Sequence, residues 1–282
     1  MRRNFIQKNL AVFILISLIA CNSTTDKIAD KSREDNLYSM LPDDTCGHII
    51  KASIINAGGL ESWQQKKALS YTKVIQEFDS AGSLLSEITQ YHYFQLQPAL
   101  KMRISWQDKD TGYLVIYDGD SAKKFVNGMQ ARNTEDYNDA WHSSWGSHYV
   151  LNMPFKLADG GANFIFEGTQ NILNKKVLAI KVLYSGKDTS DKRFPWWYYF
   201  DPESKSLVAY ATPGKNEEFG LTEYAGFENA EGLTLPGKRI GFMADKEKKP
   251  LYKTTIYINR DFRFFENASD SLFRSPVLKT NM

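Results

Sequence analysis

The residues Ser121 and Lys124 have the S-x-x-K spacing of enzymes in which a lysine activates a neighbouring serine for acyl transfer. In those enzymes the serine opens a helix, and S-D-N and K-T-G elements complete the site. Here the pair lies in the stretch YDGDSAKKFVNGM, which reads as a turn between strands, and the sequence lacks the two further elements. We therefore predict that Ser121 does no chemistry.

Cys46 and His48 are a second pair that could act together, as a nucleophile and its base. Two residues apart on a helix, however, their side chains point in different directions. We therefore interpret Cys46 as a single unreactive thiol near a helix start.

Two histidines are the remaining candidates for metal chemistry. His142 and His148 are separated by about 240° around a helix, so one straight helix cannot offer both to the same metal. Asp139 and His142 have a spacing that favours a surface hydrogen bond. No G-x-S-x-G, H-E-x-x-H or phosphate-binding loop occurs. We expect no metal, no cofactor and no enzymatic activity.

The first 20 residues have the pattern of a secretory signal. Arg2, Arg3 and Lys8 precede an apolar run of about 11 residues that ends at Ala20. A membrane-spanning helix needs about 20 such residues, so the run is too short to stay in the membrane. We predict that residues 1–20 are a signal peptide.

The residues that end this run, Leu18-Ile19-Ala20-Cys21, resemble the bacterial lipobox. The resemblance implies that the thiol of Cys21 is acylated and that cleavage makes Cys21 the new N-terminus. Each methylene of an acyl chain contributes about 0.8 kcal/mol of membrane binding, so several chains anchor a protein permanently. Asn22 is not the acidic residue that retains many lipoproteins at the inner membrane, which favours the outer membrane of a Gram-negative bacterium.

Charge argues against nucleic acid as a partner. Loss of residues 1–20 removes three basic residues and no acidic residue, so the formal net charge falls from +2 to −1. The rest of the chain carries no basic stripe of the kind that nucleic-acid-binding proteins use.

The mature chain divides into three segments. Residues 21–45 are polar without an apolar period, which predicts a lipidated N-terminus followed by a flexible tether that spans about 25 to 30 Å. Residues 46–266 are long enough for one large domain with its own core. Residues 267–282 are predicted to be a C-terminal tail.

The domain opens with one helix and continues mainly as strands. Apolar residues recur at helical spacing from Ile49 to Ala57, and Gly58 and Gly59 end the helix. The strand segments that follow are separated by turn signals such as DSAGS, DKDTG and DPESKS, which predicts a meandering antiparallel sheet.

Some of these strands are apolar on both faces. In WWYYF, the residues Trp196, Tyr198 and Phe200 share one face, while Trp197 and Tyr199 share the other. A sheet that curls around a helix and is also covered outside would need such strands, and so would a sheet with an open apolar concave face.

A helical insert over residues 134–158 interrupts the strands. Thr134 is the expected N-cap, and Gly146 and Pro154 favour two helical pieces with a hinge between them. Its aromatic stripe consists of Tyr137, Trp141, Trp145 and either His148 or Tyr149. The stripe fits two interpretations, namely core packing against the sheet or the lining of a ligand cleft.

The order of these elements resembles the LolA and LolB lipoprotein-carrier superfamily. The stretches that carry the likeness are NAGGLESW, the central helical insert, YYFDPESKSLVAYAT and YAGFENAEGLTLPGKRIGF. It is closest to a group of bacterial envelope lipoproteins of unknown function within that superfamily. The resemblance implies a mainly β fold with helices, in which an antiparallel sheet curls into an incomplete β-barrel around helices and takes acyl chains on its concave side.

Together these observations predict a membrane-anchored envelope lipoprotein that binds a lipid or another hydrophobic small molecule. A scaffold for protein partners and a hydrolase are the alternatives, and the three differ in whether the aromatic residues face a cleft, an outer patch or a cleft with converging polar groups. The oligomeric state stays open. The predicted ligand-binding residues are Trp106, Tyr137, Trp141, Trp145, Trp196, Tyr198 and Phe200.

Overall fold

The computed structural model describes residues 36–184, 195–274 and 276. The chain divides into two compact units, Met1–Leu37 and Tyr38–Met282. Of the first unit only the last two residues are described, and both are helical. The predicted signal peptide, the lipidation site Cys21 and most of the predicted tether therefore lie outside the described residues.

The second unit contains thirteen strands and three α-helices among its described residues. The helices are α1 (Thr45–Asn56), α2 (Leu60–Gln64) and α3 (Thr134–Leu151), with 3-10 turns at Phe155–Ala158 and Asp270–Phe273. The strands are β1 (Ala68–Phe78), β2 (Leu84–Gln95), β3 (Lys101–Asp108), β4 (Thr111–Tyr117), β5 (Ala122–Val126), β6 (Met129–Gln130), β7 (Ala162–Ile172), β8 (Lys175–Tyr184), β9 (Trp196–Phe200), β10 (Leu207–Pro213), β11 (Phe219–Ala230), β12 (Leu233–Ala244) and β13 (Pro250–Phe265).

All thirteen strands form one antiparallel sheet in the order β6-β5-β4-β3-β2-β1-β13-β12-β11-β10-β9-β8-β7. The two end strands, β6 and β7, do not pair with each other, so the sheet is an open half-barrel. Most neighbours are consecutive hairpins, as the turn signals predict. The predicted fold class, an antiparallel sheet curled into an incomplete barrel with helices, is confirmed.

The pairing of β1 with β13 joins the two ends of the domain at the middle of the sheet. Lys73 lies opposite Asn259, and Ile75 lies opposite Tyr257. On the other edge of β13, Tyr257 lies opposite Arg239 of β12. Long-range register therefore places side chains of β1, β12 and β13 next to one another on one face.

Helix α1 has a side-chain cap at its first turn and a glycine stop at its end. The carboxylate of Asp44 accepts a hydrogen bond from the backbone N–H of Gly47 at 3.0 Å, and Ile50 and Ile54 are fully buried. At Gly58, φ is +111° and a Cβ would lie 2.4 Å from the carbonyl oxygen of Gly232, so only glycine fits there. The helix from Ile49 to Ala57 is confirmed, but the sequence did not predict the short helix α2 that follows.

Helix α3 differs from its prediction in two respects. It runs without interruption through Gly146, and the second helical piece is the 3-10 turn after Pro154, so the break lies near Pro154 and not at the glycine. One glycine costs a helix only about 1 kcal/mol, which packing against the sheet offsets. The N-cap is Asn133, whose side chain accepts a hydrogen bond from the N–H of Asp136 at 2.7 Å. Thr134 is the first helical residue.

Strand β9 is covered on both faces, as its composition predicts. Tyr198 and Phe200 are fully buried on the concave side. Trp197 and Tyr199 belong to a separate buried cluster with Val177, Ala179, Ala209, Ala211 and Leu221. The sheet therefore has an apolar layer outside the half-barrel as well as inside it.

The segment predicted as a C-terminal tail includes residues that pack on the domain. Leu272 and Phe273 are buried in a cluster with Ala68, Leu114 and Ile116. The guanidinium Nη1 of Arg103 donates a hydrogen bond to the carbonyl oxygen of Leu272 at 2.8 Å.

Candidate ligand-binding cleft

The concave face of the sheet and helix α3 enclose a cleft of about 560 Å³. This volume is within the range of about 300 to 1,000 Å³ that is usual for small-molecule sites. The lining residues are Lys73, Ile75, Glu77, Gln90, His142, Ser143, Gly146, Ser147, Val150, Trp196, Tyr210, Thr212, Pro213, Gly220, Thr222, Arg239 and Tyr257. The cleft thus has apolar, aromatic and charged groups.

Helix α3 presents small and polar residues to the cleft. The residues at this stripe are His142, Ser143, Gly146, Ser147 and Val150, which recur at helical spacing. A Cβ added to Gly146 would meet no atom within 4 Å, so this position borders open space. The absence of large side chains along this stripe leaves room between the helix and the sheet.

The aromatic stripe of α3 faces a different part of the sheet. Trp141 and Trp145 pack against the buried cluster that includes Phe94, Ile104 and Tyr117. Their ring centroids lie 5.8 and 5.5 Å from that of Tyr117, and 5.4 Å from each other. The structure therefore places these two tryptophans in core packing, and neither lines the cleft.

The other predicted ligand-binding residues occupy four kinds of environment. Trp196 lines the cleft, whereas Tyr198 and Phe200 are fully buried behind it. Trp106 is half-buried and stacks on Tyr113 of β4 at 5.0 Å. Tyr137 is 48% exposed near the start of α3. Of the seven residues, the structure brings together Trp141 with Trp145 and Trp196 with Tyr198, and it places only Trp196 in the cleft.

An aromatic wall forms one side of the cleft. The ring of Trp196 stacks on Tyr210 at 5.3 Å, and the edge of Tyr149 contacts Trp196 at 5.4 Å. Both Trp196 and Tyr210 are half-buried and retain exposed surface toward the cleft. The wall can therefore contact an apolar ligand without rearrangement.

Two buried cations lie on the floor of the cleft, and neither is among the residues predicted from the sequence. Lys73 is 7% exposed and Arg239 is 3% exposed. The Nζ of Lys73 lies 5.1 Å from the ring centroid of Tyr257, and the Cζ of Arg239 lies 4.9 Å from the same centroid. Burial, followed by repulsion from Arg239, lowers the pKa of Lys73 to about 7.

A signal for the floor cations exists in the sequence. In SYTKVIQEF, Lys73 shares its face with Tyr71 and Ile75, so the alternation places a basic residue on an otherwise apolar face. A charge on a buried face indicates a partner or a function. The sequence could not show that Arg239 is its neighbour.

The serine–lysine pair is not arranged for acyl transfer. Ser121 ends a turn in which its N–H donates to the carboxylate of Asp118 at 2.9 Å. Lys124 lies on strand β5 and not in the predicted turn. Its Nζ contacts the carboxylates of Asp136 and Asp139 at 2.8 and 3.3 Å. These ion pairs occupy the ammonium and attach the start of α3 to the sheet.

Cys46 and His48 are also apart in their environments. Cys46 is buried, and its burial, with the nearby Asp44, raises the pKa of the thiol to about 11. The side chain of His48 is exposed and lies 3.3 Å from the carboxylate of Asp43. A protonated, buried thiol is a poor nucleophile, in agreement with a structural interpretation.

A second pocket lies outside this cleft. A smaller pocket of about 150 Å³ lies on the opposite face of the sheet, beside Arg103, Ser105 and Arg263.

Within residues 36–184, 195–274 and 276, no group of three or more His, Cys, Asp or Glu side chains could hold a metal ion. The described helices include none that is both long and apolar enough to cross a membrane.

Three of the solved structures that have the same fold come from different bacteria. A DUF1329 family protein from Desulfovibrio piger has a TM-score of 0.52 at 11% identity, with 79% of this chain and 96% of that chain covered. A domain described as an outer membrane lipoprotein-sorting protein, from Vibrio parahaemolyticus, has a TM-score of 0.50 at 9% identity, with 80% and 95% covered. The LolA superfamily protein NE2245 from Nitrosomonas europaea has a TM-score of 0.52 at 10% identity, with 80% and 96% covered.

The similarity to these structures establishes a LolA-like fold, as the sequence resemblance implied. No curated protein matches the chain. Residues 92–232, half of the chain, match the family of unknown function DUF6503, and the chain therefore belongs to the DUF6503 family.

Proposed function

We propose that this protein is a membrane-anchored envelope lipoprotein that binds a lipid or another hydrophobic ligand in the cleft between α3 and the sheet. The observation that carries the proposal is the open space along Gly146, opposite the half-buried rings of Trp196 and Tyr210. A half-barrel that needed only a closed core would fill this space with side chains, because protein interiors are close-packed.

The fold supports the same function. One solved structure with this fold is described as a lipoprotein-sorting domain, and another as a LolA superfamily protein. The proposed anchor is the acylated Cys21, and the proposed location is the outer membrane of a Gram-negative bacterium. In this proposal the protein binds its ligand without transforming it.

The residues proposed to contact the ligand differ from those that the sequence predicted. Trp196 stays in the proposed site, and Tyr210, Val150 and Tyr257 join it because they line the cleft. Trp141 and Trp145 act through the position of α3, since they attach the helix to the sheet.

A test must separate the bound ligand from the protein's own anchor. The full chain carrying Cys21→Ser has no acyl anchor in this proposal, so any lipid that co-purifies with it must be bound non-covalently. Native mass spectrometry should detect such a ligand. Titration of the delipidated protein with palmitate and cetyl alcohol should change its tryptophan fluorescence. Absence of a co-purified apolar ligand, together with no response to either titrant, would contradict the proposal.

A non-enzymatic scaffold is the second candidate, and one surface feature favours it. Leu84 and Leu85 at the tip of the β1–β2 hairpin are 53% and 66% exposed, and Leu251 at the start of β13 is 56% exposed. Pairing of β1 with β13 places these tips at the same end of the sheet. If a larger side chain fills the cleft, a scaffold that binds its partner through this leucine patch should still bind that partner. A ligand carrier with the same substitution should no longer bind its ligand.

A further inference from the structure

We propose that the cleft selects an anionic amphiphile, whose acid group lies between Lys73 and Arg239 while its apolar chain follows the Trp196–Tyr210 wall. This inference rests on the proposed function, since it specifies the ligand of the same cleft. The acid group is a carboxylate or a phosphate, because both match the donors that the two cations offer.

The geometry of three adjacent strands carries the proposal. Arg239 on β12 lies directly opposite Tyr257 on β13, and Tyr257 lies opposite Ile75, two residues from Lys73 on β1. The two cations therefore approach the ring of Tyr257 from neighbouring strands, at 5.1 Å for the Nζ of Lys73 and 4.9 Å for the Cζ of Arg239. An anion beside this ring would be within reach of both.

Neither cation has a carboxylate partner among the described residues. Lys73 donates one long hydrogen bond of 3.4 Å to the Oγ of Ser147. The Nε of Arg239 is buried and has no hydrogen-bond partner in the part of the chain that the structure describes. Buried charges in proteins are usually paired, and two like charges beside each other increase the cost of burial. An anionic ligand would supply the missing partner.

The groups around the two cations leave the floor of the cleft positive. Among the described residues, Glu77 is the only acidic one that lines the cleft; it is exposed and accepts a hydrogen bond from the hydroxyl of Ser86 at 2.9 Å. Beside Lys73, burial lowers the pKa of His92 well below its usual value, and its ring contacts the hydroxyl of Tyr71. A positive floor favours an anionic head group over a neutral or cationic one.

The distribution of polarity matches an amphiphile better than a free anion. The cations are at the floor, whereas Trp196, Tyr210 and Val150 line the volume next to them. A free inorganic anion would leave this apolar volume unfilled. A chain with an acid group at one end would fill both parts of the cleft.

The experiment measures affinity for three ligands of equal chain length. Palmitate, cetyl phosphate and cetyl alcohol are titrated by calorimetry into the delipidated full chain carrying Cys21→Ser, with inorganic phosphate as a further titrant. We expect at least one acid to bind about 10- to 100-fold more tightly than the alcohol, since a hydrogen bond to a charged group contributes that much. The comparison of palmitate with cetyl phosphate identifies the acid group.

Substitutions then test the two cations. Arg239→Gln and Lys73→Gln should each reduce the preference for the acid by about tenfold or more and leave affinity for cetyl alcohol nearly unchanged. Lys238→Gln is the matched control, because Lys238 is exposed on the same strand next to Arg239 and does not line the cleft. Thermal unfolding of each variant shows whether it is folded. If Arg239→Gln fails to fold, Lys73→Met takes its place as the second variant in the binding test.

The outcomes separate this inference from the proposed function. If all three amphiphiles bind equally, or if Lys73→Gln and Arg239→Gln keep the preference for the acid over cetyl alcohol, the proposed anionic site is wrong. The proposed binding of a hydrophobic ligand would then still stand. If inorganic phosphate binds as tightly as cetyl phosphate, the site takes a free anion and the amphiphile is wrong. If no amphiphile binds, the proposed function itself fails.

Discussion

The Nζ of Lys73 on β1 donates a hydrogen bond to the Oγ of Ser147 on α3, across a distance of 3.4 Å. This contact joins the floor of the cleft to the helix that covers it. The amino group of Lys73 therefore lies beside the helix that covers the cleft.

We predict that the affinity of the cleft for cetyl sulfate falls as the pH is raised above 7. The pKa of Lys73 is lowered to about 7, and a bound anion favours its charged form. Above that pH binding must take up a proton, so affinity falls by at most about tenfold per pH unit. Cetyl sulfate stays ionised throughout. The charged or titratable groups that line the cleft with Lys73 are Glu77, His142, Tyr210, Arg239 and Tyr257, and His92 lies beside Lys73.

The stability of the unliganded protein should respond in the opposite direction. The pKa of Lys73 in the folded protein lies below its value of about 10 in the unfolded chain. Between these two values the unfolded state binds more protons, so this residue's contribution to the free energy of unfolding rises with pH. Calorimetry and urea unfolding across this window check both trends. Constant affinity, or an unchanged pH dependence in Lys73→Gln, would contradict the assignment.

Gly146→Leu should block the cleft without weakening the fold. A side chain at this position projects into open space, and leucine favours a helix by about 0.8 kcal/mol over glycine. We expect at least about tenfold weaker palmitate binding with an unchanged or higher melting temperature. Gly146→Ala is the control, since its methyl group leaves most of the volume free. Wild-type affinity in Gly146→Leu would show that ligand does not bind beside α3.

Trp196 should be the fluorescent reporter of the cleft. It is the only predicted tryptophan that lines this volume, whereas Trp141 and Trp145 pack on the buried cluster beside Tyr117. Trp196→Phe should remove most of the fluorescence change on palmitate binding and keep the protein folded. Trp141→Phe and Trp145→Phe should retain the change. If the fluorescence change depends on Trp141 instead, the ligand binds on the β3–β5 side of the sheet.

Leu272→Ala should destabilise the domain, although its position is close to the end of the chain. Leu272 is buried against Ala68, Leu114 and Ile116, and its carbonyl oxygen accepts a hydrogen bond from Arg103. We expect the free energy of unfolding to fall by about 2 to 4 kcal/mol in urea titrations. The exposed Leu251→Ala should change it by less than about 0.5 kcal/mol. Equal stability of both variants would mean that residues 270–273 are a dispensable tail.

Cys21→Ser should abolish lipid attachment. Acylation requires the thiol of Cys21, so cells grown with radioactive palmitate should label the wild-type protein and not the variant. Cys46→Ser, which removes the second cysteine, should keep the label. Label on the Cys21→Ser chain would disprove the lipid anchor.

Local chemistry in the sequence was sufficient to predict most elements of the fold. The DPESKS turn and the glycines after α1 act over a few residues, so their positions follow from residue type. The alternation in WWYYF likewise predicted a strand that is buried on both faces. Strand β5 was missed because two adjacent lysines hide its alternation, and their partners, Asp118, Asp136 and Asp139, become neighbours only in the folded chain.

The sequence by itself determined the alternation of the strands, the helical period of α3 and the candidate lipidation site, because these depend on neighbours along the chain. Only the tertiary structure decided which stripe of α3 lines the cleft and which packs on the core, since that depends on the rotation of the helix against the sheet. It also decided that Lys73 and Arg239 flank Tyr257. Their proximity arises from the pairing of the first strand with the last, a long-range register that no local pattern encodes.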